Sequence, residues 1–358
     1  MKRALVIGGG LAGLTAAFRL RDRYTVTLLE RGQRLGGQIH TELDRGFVIE
    51  RGAEGFVARS QALPALARDL GMPEGELIGQ AVLRSYGFDG QQLLALQPGE
   101  AATLLGFQVP PEELGKGIAS LRRGMGSLIS ALTGSLHERV TLALGSEVGA
   151  LELRSGELLA HAAGGATFAA DCAIVAIPAA PAAELLATLA GDAARALSQA
   201  EALSSVTVEL GYAREQIGHA LDASGYVVAQ SAQQGVRACT FTSSKFVDRA
   251  PHGSVSLRLF FRPSAQELAT LDDDAWTERA VHELARALPV RGQPRDVWVS
   301  RWSNALPVFS DAHRSAVAAL EQALAPYPLQ LAGSAFHGSG IDAAVRSAER
   351  AAAALGRD

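Results

Sequence analysis

The sequence predicts an α/β protein in two interleaved parts, a parallel-sheet domain of doubly wound type and a mainly antiparallel-sheet, α+β part. Three observations predict it. The chain opens with a continuous apolar run, Ala4 to Gly8, that stops at glycines and passes directly into a helical stretch and a second strand. The middle of the chain alternates apolar and polar residues between turn signals, as antiparallel strands do. Near the end an apolar run stops at Gly333, and a glycine-rich turn opens onto an alanine-rich helix from about Asp342. Each glycine turn at a helix start is a potential anion site.

At 358 residues the chain exceeds what one hydrophobic core usually covers. Hydrophobic residues at 48% and charged residues at 20% indicate a globular chain. A net charge of −4, with no Lys/Arg block, argues against a nucleic-acid partner. Cys172 and Cys239 lie far apart in apolar runs, with no CxxC or Cys/His cluster. Neither a metal site nor a disulfide is expected, and a reducing, cytoplasmic location is the default. Lys2 and Arg3 precede an apolar run, but the glycines at 8, 9, 10 and 13 would break the helix of a signal peptide. The longest apolar stretch, CAIVAIPAAPAAELLATLAG, is interrupted by Pro178, Pro181 and Glu184, so it reads as strand, proline turn and helix.

In chain order, Leu11 to Asp22 reads as a helix and YTVTLLE as a strand ending at Glu30. A glycine-rich connector follows, with a hairpin expected at Asp44–Arg45–Gly46. Leu63 to Leu70 is a short helix, and AVLRSYGFDGQQLLAL alternates around an Asp89–Gly90 hairpin signal. Pro98 to Gly117 is loop and short helix, Gly126 to Leu136 a helix, and RVTLALG a strand. A meander turns at Ser155–Gly156 and Gly164–Gly165, and Ala180 to Leu189 is helical. Val206 to Phe261 is strand-rich. Asp272 to Leu288 is a helix opening in an Asp run that suits its dipole, DVWVSRW is a strand, and Ala312 to Leu324 is a helix.

Gly8, Gly10 and Gly13 form GxGxxG directly after a strand and before a helix, and Glu30 closes the next strand. Gly8 permits the tight turn, Gly10 lets the backbone approach a pyrophosphate, and Gly13 lets helix pack on strand. Leu11 and Ala12 open the helix whose N–H groups face the phosphates, and Glu30 can accept from ribose hydroxyls. The motif alone is weak, but its context holds on both flanks. Arg31 and Arg34, followed by Gly36 and Gly37, resemble the second dinucleotide motif of amine-oxidase-like flavoproteins, which favours FAD over NAD. The C-terminal turn then has a task. Gly340, Ile341 and Asp342 would set backbone N–H groups against the flavin ring, where negative charge develops on reduction, and Gly333 and Ser334 in the same turn are further cofactor contacts. Such groups contribute about 0.3–1 kcal/mol, up to about 2 when partly buried.

Several segments together resemble the protoporphyrinogen/coproporphyrinogen oxidase family, within the flavin amine oxidase superfamily. They are ACTFTSSKFVDRAPHGSVSLRLF, SRWSNALPVFSDAH, LAGSAFHGSGIDAAVRSAERAA and GFVIERGAEGFVA. The resemblance implies a Rossmann-type FAD-binding domain over 1–78, 121–185 and 325–358, and a substrate domain over 79–120 and 186–324. It implies cofactor contacts at Gly52 and Ala53 and an adenine contact at Val148. It also implies a propionate-binding Arg84 with Phe88 and Phe241 as apolar walls. His313 matches a family histidine and His337 sits in the flavin turn; neither is expected to be a catalyst, and no catalytic residue is assigned. Departures are Gln38, where relatives place a cation, and a short interval between Leu96 and Leu121, where relatives carry a helical lid with membrane-facing surface. At most peripheral membrane contact is therefore expected. An oligomer or a partner subunit completing the site stays open. The implied reaction is dehydrogenation of a porphyrinogen with O2 as acceptor and H2O2 as product. Oxidation of an amine or polyene, or flavin binding without turnover, remain alternatives.

Overall fold

The computed structural model describes residues 1–106, 116–136 and 138–355. Residues 107–115, inside the interval expected to hold the short lid, lie outside them.

Five parallel strands build the first sheet, in the spatial order Val140–Leu144, Thr25–Glu30, Arg3–Ile7, Cys172–Val175, Leu329–Leu331. The strand Arg3–Ile7 is apolar beyond its first residue because helices cover both faces of the sheet. On one face lie the helices Leu11–Leu20, Gly126–Leu136 and Ile341–Leu355, sharing a core that includes Leu14, Leu132 and Val345. On the other lie Ala179–Leu185, Ala187–Ser198 and Asp311–Leu324 with a three-stranded meander, Val148–Arg154, Glu157–Ala162 and Thr167–Ala170. The expected domain boundaries put Ala187–Ser198 and Asp311–Leu324 with the substrate part. Their apolar stripes, Ala194 with Leu197 and Leu320 with Leu324, instead belong to the core of the first sheet. Asp311–Leu324 packs against the edge strand Leu329–Leu331, and Ala187–Ser198 packs against that helix and the meander strand Val148–Arg154.

The second sheet has seven strands, ordered Asp296–Pro307, Ala202–Ala213, Ser254–Phe261, Val236–Phe241, Gly225–Val228, Tyr86–Phe88, Leu93–Ala95. It is antiparallel except where Gly225–Val228 meets Tyr86–Phe88 in parallel. The helix Asp273–Ala287 seals one face with Trp276 and Leu284. A small sheet of Phe56–Val57, Ile118–Leu121 and Leu77–Gly79 lies between the parts, together with a hairpin of Thr41–Asp44 and Phe47–Glu50. That hairpin turns at Arg45 and Gly46, both left-handed with φ 49° and 83°, the two-residue turn that a Gly in second place favours.

Among the described residues, no helix is long and apolar enough to cross a membrane.

Candidate functional site

All five strands of the first sheet run the same way, so their carboxyl ends lie along one edge. That edge gathers Gly8–Gly13, Glu30, the turn before Val148, and the turn starting at Gly333. Open parallel sheets place ligands at this edge.

The first turn is held by close backbone approaches. A Cβ on Gly13 would lie 1.8 Å from the Gly8 carbonyl oxygen, and one on Gly37 would lie 3.1 Å from Gly10 Cα. Gly36 donates its N–H to Gly9 O at 2.8 Å, tying the second glycine loop to the first. The Glu30 carboxylate organises both loops. Its Oε2 accepts from Gly9 N–H at 2.7 Å and its Oε1 from Gly32 N–H at 2.8 Å. Gly145 and Ser146, just before Val148, donate to Gly32 O at 3.0 Å and Glu30 O at 2.9 Å. Val148 is half-buried and opens the meander.

Arg34 lies within the second glycine loop. Its guanidinium donates to Leu35 O, Ile39 O and Gly37 O at 2.9, 3.0 and 2.7 Å. It therefore braces the Gly36–Gly37 loop, and desolvation lowers its pKa from the ordinary value. Arg31 is exposed, next to Glu30. Gln38 bonds Ala305 O at 2.7 Å, so the loop is stitched to the long strand of the second sheet.

Gly52 and Ala53 lie in that seam. Ala53 N–H donates to Gln38 O at 3.1 Å, and a Cβ on Gly52 would meet Gln38 O at 1.8 Å and Trp302 Cζ2 at 3.1 Å. Trp302 Nε1 donates to Arg51 O at 2.6 Å, and Arg258 Nη2 to Gly52 O at 2.8 Å.

The C-terminal turn reaches the same edge. A Cβ on Gly333 would find Ala12 Cβ at 3.5 Å, so the last turn rests against the start of the first helix. Ser334 is half-buried, Gly340 exposed with φ 96°, and Ile341 buried at the helix start. His313 is buried and bonds Ala335 O at 2.9 Å through Nε2. His337 is pinned between Ser347 Oγ at 2.8 Å and Glu321 Oε1 at 2.7 Å. Both histidines shape the turn.

The expected substrate residues divide between surface and core. Arg84 is exposed and paired with Asp222 at 2.5 Å. It leads into the strand Tyr86–Phe88, three strands from Arg258, about 14 Å across the sheet. Phe88 and Phe241 are corrected: at 1% and 0% exposure both are sealed in the second core, packed edge-on to Tyr226, with no face left for a ligand. Sequence spacing cannot tell a core aromatic in a strand from a pocket wall.

Sequence reasoning missed Arg258, Glu54 and Lys245. The Glu54 carboxylate bonds Lys245 and faces Arg258 Nη1 at 3.6 Å. A charged residue inside the apolar strand SVSLRLFF was the available signal.

Comparison with known proteins defines the class. Residues 80–356 match the family described as flavin containing amine oxidoreductase, and residues 6–70 match an NAD(P)-binding Rossmann-like domain. The chain belongs to the flavin-containing amine oxidoreductase family and is a flavin-dependent oxidoreductase. It is similar to the coproporphyrinogen III oxidase of Mycobacterium bovis, at 30% identity over 97% of this chain and 95% of that one. The coproporphyrinogen III oxidase of Mycobacterium leprae is 29% identical over 98% of this chain and 97% of that one. That alignment spans 444 positions, more than the 358 residues present here, so the relative carries additional residues between the shared ends. In fold, the chain is similar to a crystal structure from Exiguobacterium sp. 255-15 provisionally named a protoporphyrinogen oxidase. The TM-score is 0.84 at 23% identity, covering 99% of this chain and 98% of that one.

Proposed function

We propose that the chain is an FAD-dependent porphyrinogen oxidase of the coproporphyrinogen type, dehydrogenating a reduced tetrapyrrole with O2 as acceptor and H2O2 as product. The observation that carries this reading is the meeting of two glycine turns, from opposite ends of the chain, at one edge of one sheet. The names of the full-length relatives supply the substrate class.

The residues present fit FAD. A Cβ on Gly10 would meet only Gly37 Cα, at 3.9 Å, so the space beside the first turn is open and lined by backbone. At the second turn nothing lies within 4 Å of a Cβ on Gly340. Each Glu30 oxygen accepts one backbone N–H and keeps a lone pair for a ribose hydroxyl. In this reading Gly8, Gly10, Leu11, Ala12 and Gly13 hold the pyrophosphate, and Val148 lies beside the adenine. Gly52, Ala53, Gly333, Ser334, Gly340 and Ile341 border the ring.

Bound FAD supplies the hydride acceptor and, on reoxidation, the electron donor to O2. The chain's part is to orient and to exclude water. Aromatisation of the substrate drives the reaction, so no protein base is required and positioning carries the catalysis. Arg84 takes a propionate, for which a guanidinium fork is suited. Leaving Asp222 for a substrate carboxylate costs little, because exposed ion pairs contribute about 0–1 kcal/mol.

The test is direct. Coproporphyrinogen III added without air to the FAD-loaded protein should bleach the flavin band, and admitting air should release porphyrin fluorescence and H2O2. Bleaching by a polyamine, with none by coproporphyrinogen or protoporphyrinogen, overturns the substrate.

A further inference from the structure

The backbone of Arg51–Glu54 is held from three separate stretches of chain. Arg51 O accepts from Trp302, Gly52 O from Arg258, and Glu54 O from Ser120 Oγ at 2.6 Å. Behind these bonds lies a buried ionic network. Glu54 pairs with Lys245 and faces Arg258. Arg249 donates to the same Ser120 Oγ at 2.7 Å and to Leu121 O at 2.9 Å, and its Nη1 lies 3.5 Å from Glu50. Glu50 in turn accepts from Met125 N–H at 2.6 Å and Thr41 Oγ1 at 2.7 Å. The side chains of Arg249 and Arg258 are 1% and 2% exposed.

Stability alone does not account for this arrangement. Removing each charge from water costs several kcal/mol, and apolar replacements of buried ion pairs are often neutral or stabilising. The network does achieve a geometric result: it fixes one short stretch of backbone. Burial alone would raise the Glu54 carboxyl, but Lys245 and then Arg258 outweigh it and hold it below its ordinary value, so the anchor stays charged. The fork of Arg258 faces two ways, Nη2 to Gly52 O and Nη1 to Glu54, while its Nε and Nη1 make no hydrogen bond. A lysine offers a point charge and cannot span both.

We propose that Arg258 is a positioning residue for the ring end of the cofactor, acting through the Gly52 carbonyl to hold Arg51–Glu54 in line while Glu54 and Lys245 fix its guanidinium. This rests on the FAD reading above. The test uses full-length, FAD-loaded protein and measures FAD release on dilution, the position of the visible flavin bands, and folding by circular dichroism. The parent is compared with Arg258→Lys, Arg258→Met and the charge-neutral double variant Glu54→Gln/Arg258→Met. Arg258→Lys should stay folded, release FAD at least tenfold more readily and show shifted flavin bands. The double variant should also fold and hold FAD no better than Arg258→Lys, which keeps the test decisive if Arg258→Met alone fails to fold. Folded variants with the parent's FAD affinity and spectrum overturn the role of Arg258 and leave the FAD reading intact. A parent that binds no FAD overturns both.

Discussion

At the scale of single residues, the glycines were the legible part of the site and the buried charges were not. Gly8 and Gly13 announce themselves because only a missing Cβ allows the approaches the fold makes. Gly13→Ala would drive its Cβ into the Gly8 carbonyl oxygen, and the helix would have to move off the strand. A loss of about 1–3 kcal/mol is expected, read as a lower denaturation midpoint and weaker FAD retention. Glu209 shows the opposite case, since nothing in SVTVELGY marks one carboxylate as buried. Desolvation pushes its pKa up from 4.5 to about 7, although Arg258 and the Ser256 hydroxyl pull the other way. The folded protein therefore keeps this proton to about neutrality, while the unfolded chain releases it near the ordinary value. Stability then falls as pH rises through that window and stays reduced above it. Glu209→Gln should raise the melting temperature at pH 8, by a stabilisation on the order of 3 kcal/mol, and leave it unchanged near pH 4. Equal shifts at both pH values would exclude this origin.

At the scale of elements, local signals were read well and distant pairings poorly. The hairpin at Arg45–Gly46 and the helix Gly126–Leu136 follow from turn chemistry and period within a few residues. The strand Ile118–Leu121 was missed, because it exists through pairing with Phe56–Val57 and Leu77–Gly79, some forty to sixty positions earlier in the chain. The C-terminal turn lies between these cases. Its glycines are visible in sequence, but the side chains that set its path come from two helices. Ser347 Oγ accepts from Gly333 N–H at 3.0 Å and bonds His337 Nδ1, whose other nitrogen bonds the Glu321 carboxylate. Asp311–Leu324 supplies His313, capped by Ser310 Oγ at its own N–H and bonded to Ala335 O. His313→Ala would leave that buried carbonyl unpaired, at about 1–3 kcal/mol. The expected result is a lower melting temperature together with faster FAD release. Unchanged FAD release in a destabilised variant would show that the turn keeps its path without the histidine.

At the scale of the whole molecule, the cofactor joins what the chain order keeps apart. In the proposed reading the nucleotide end rests on the Gly8–Gly13 turn, Glu30 and Val148, while the ring end draws on Gly52 and Ala53, held by Arg258 and by a loop stitched to the long strand Asp296–Pro307, and on the last turn. Gln38 and Trp302 already cross between the two sheets without a ligand. A ligand spanning both ends should therefore stabilise the chain as one unit. Binding to the folded state alone adds about 2.7 kcal/mol when free ligand is a hundredfold above its dissociation constant. Thermal melts at rising ligand concentration separate the two grips. FAD should raise the midpoint steadily. ADP should give a smaller rise at every concentration, since it engages only the Gly8–Gly13 turn and Glu30. Riboflavin should give little alone, because the ring end without the pyrophosphate has few fixed donors. If ADP stabilises as strongly as FAD at equal free concentration, the C-terminal turn contributes no grip, and its glycines serve only to carry the chain from strand to helix.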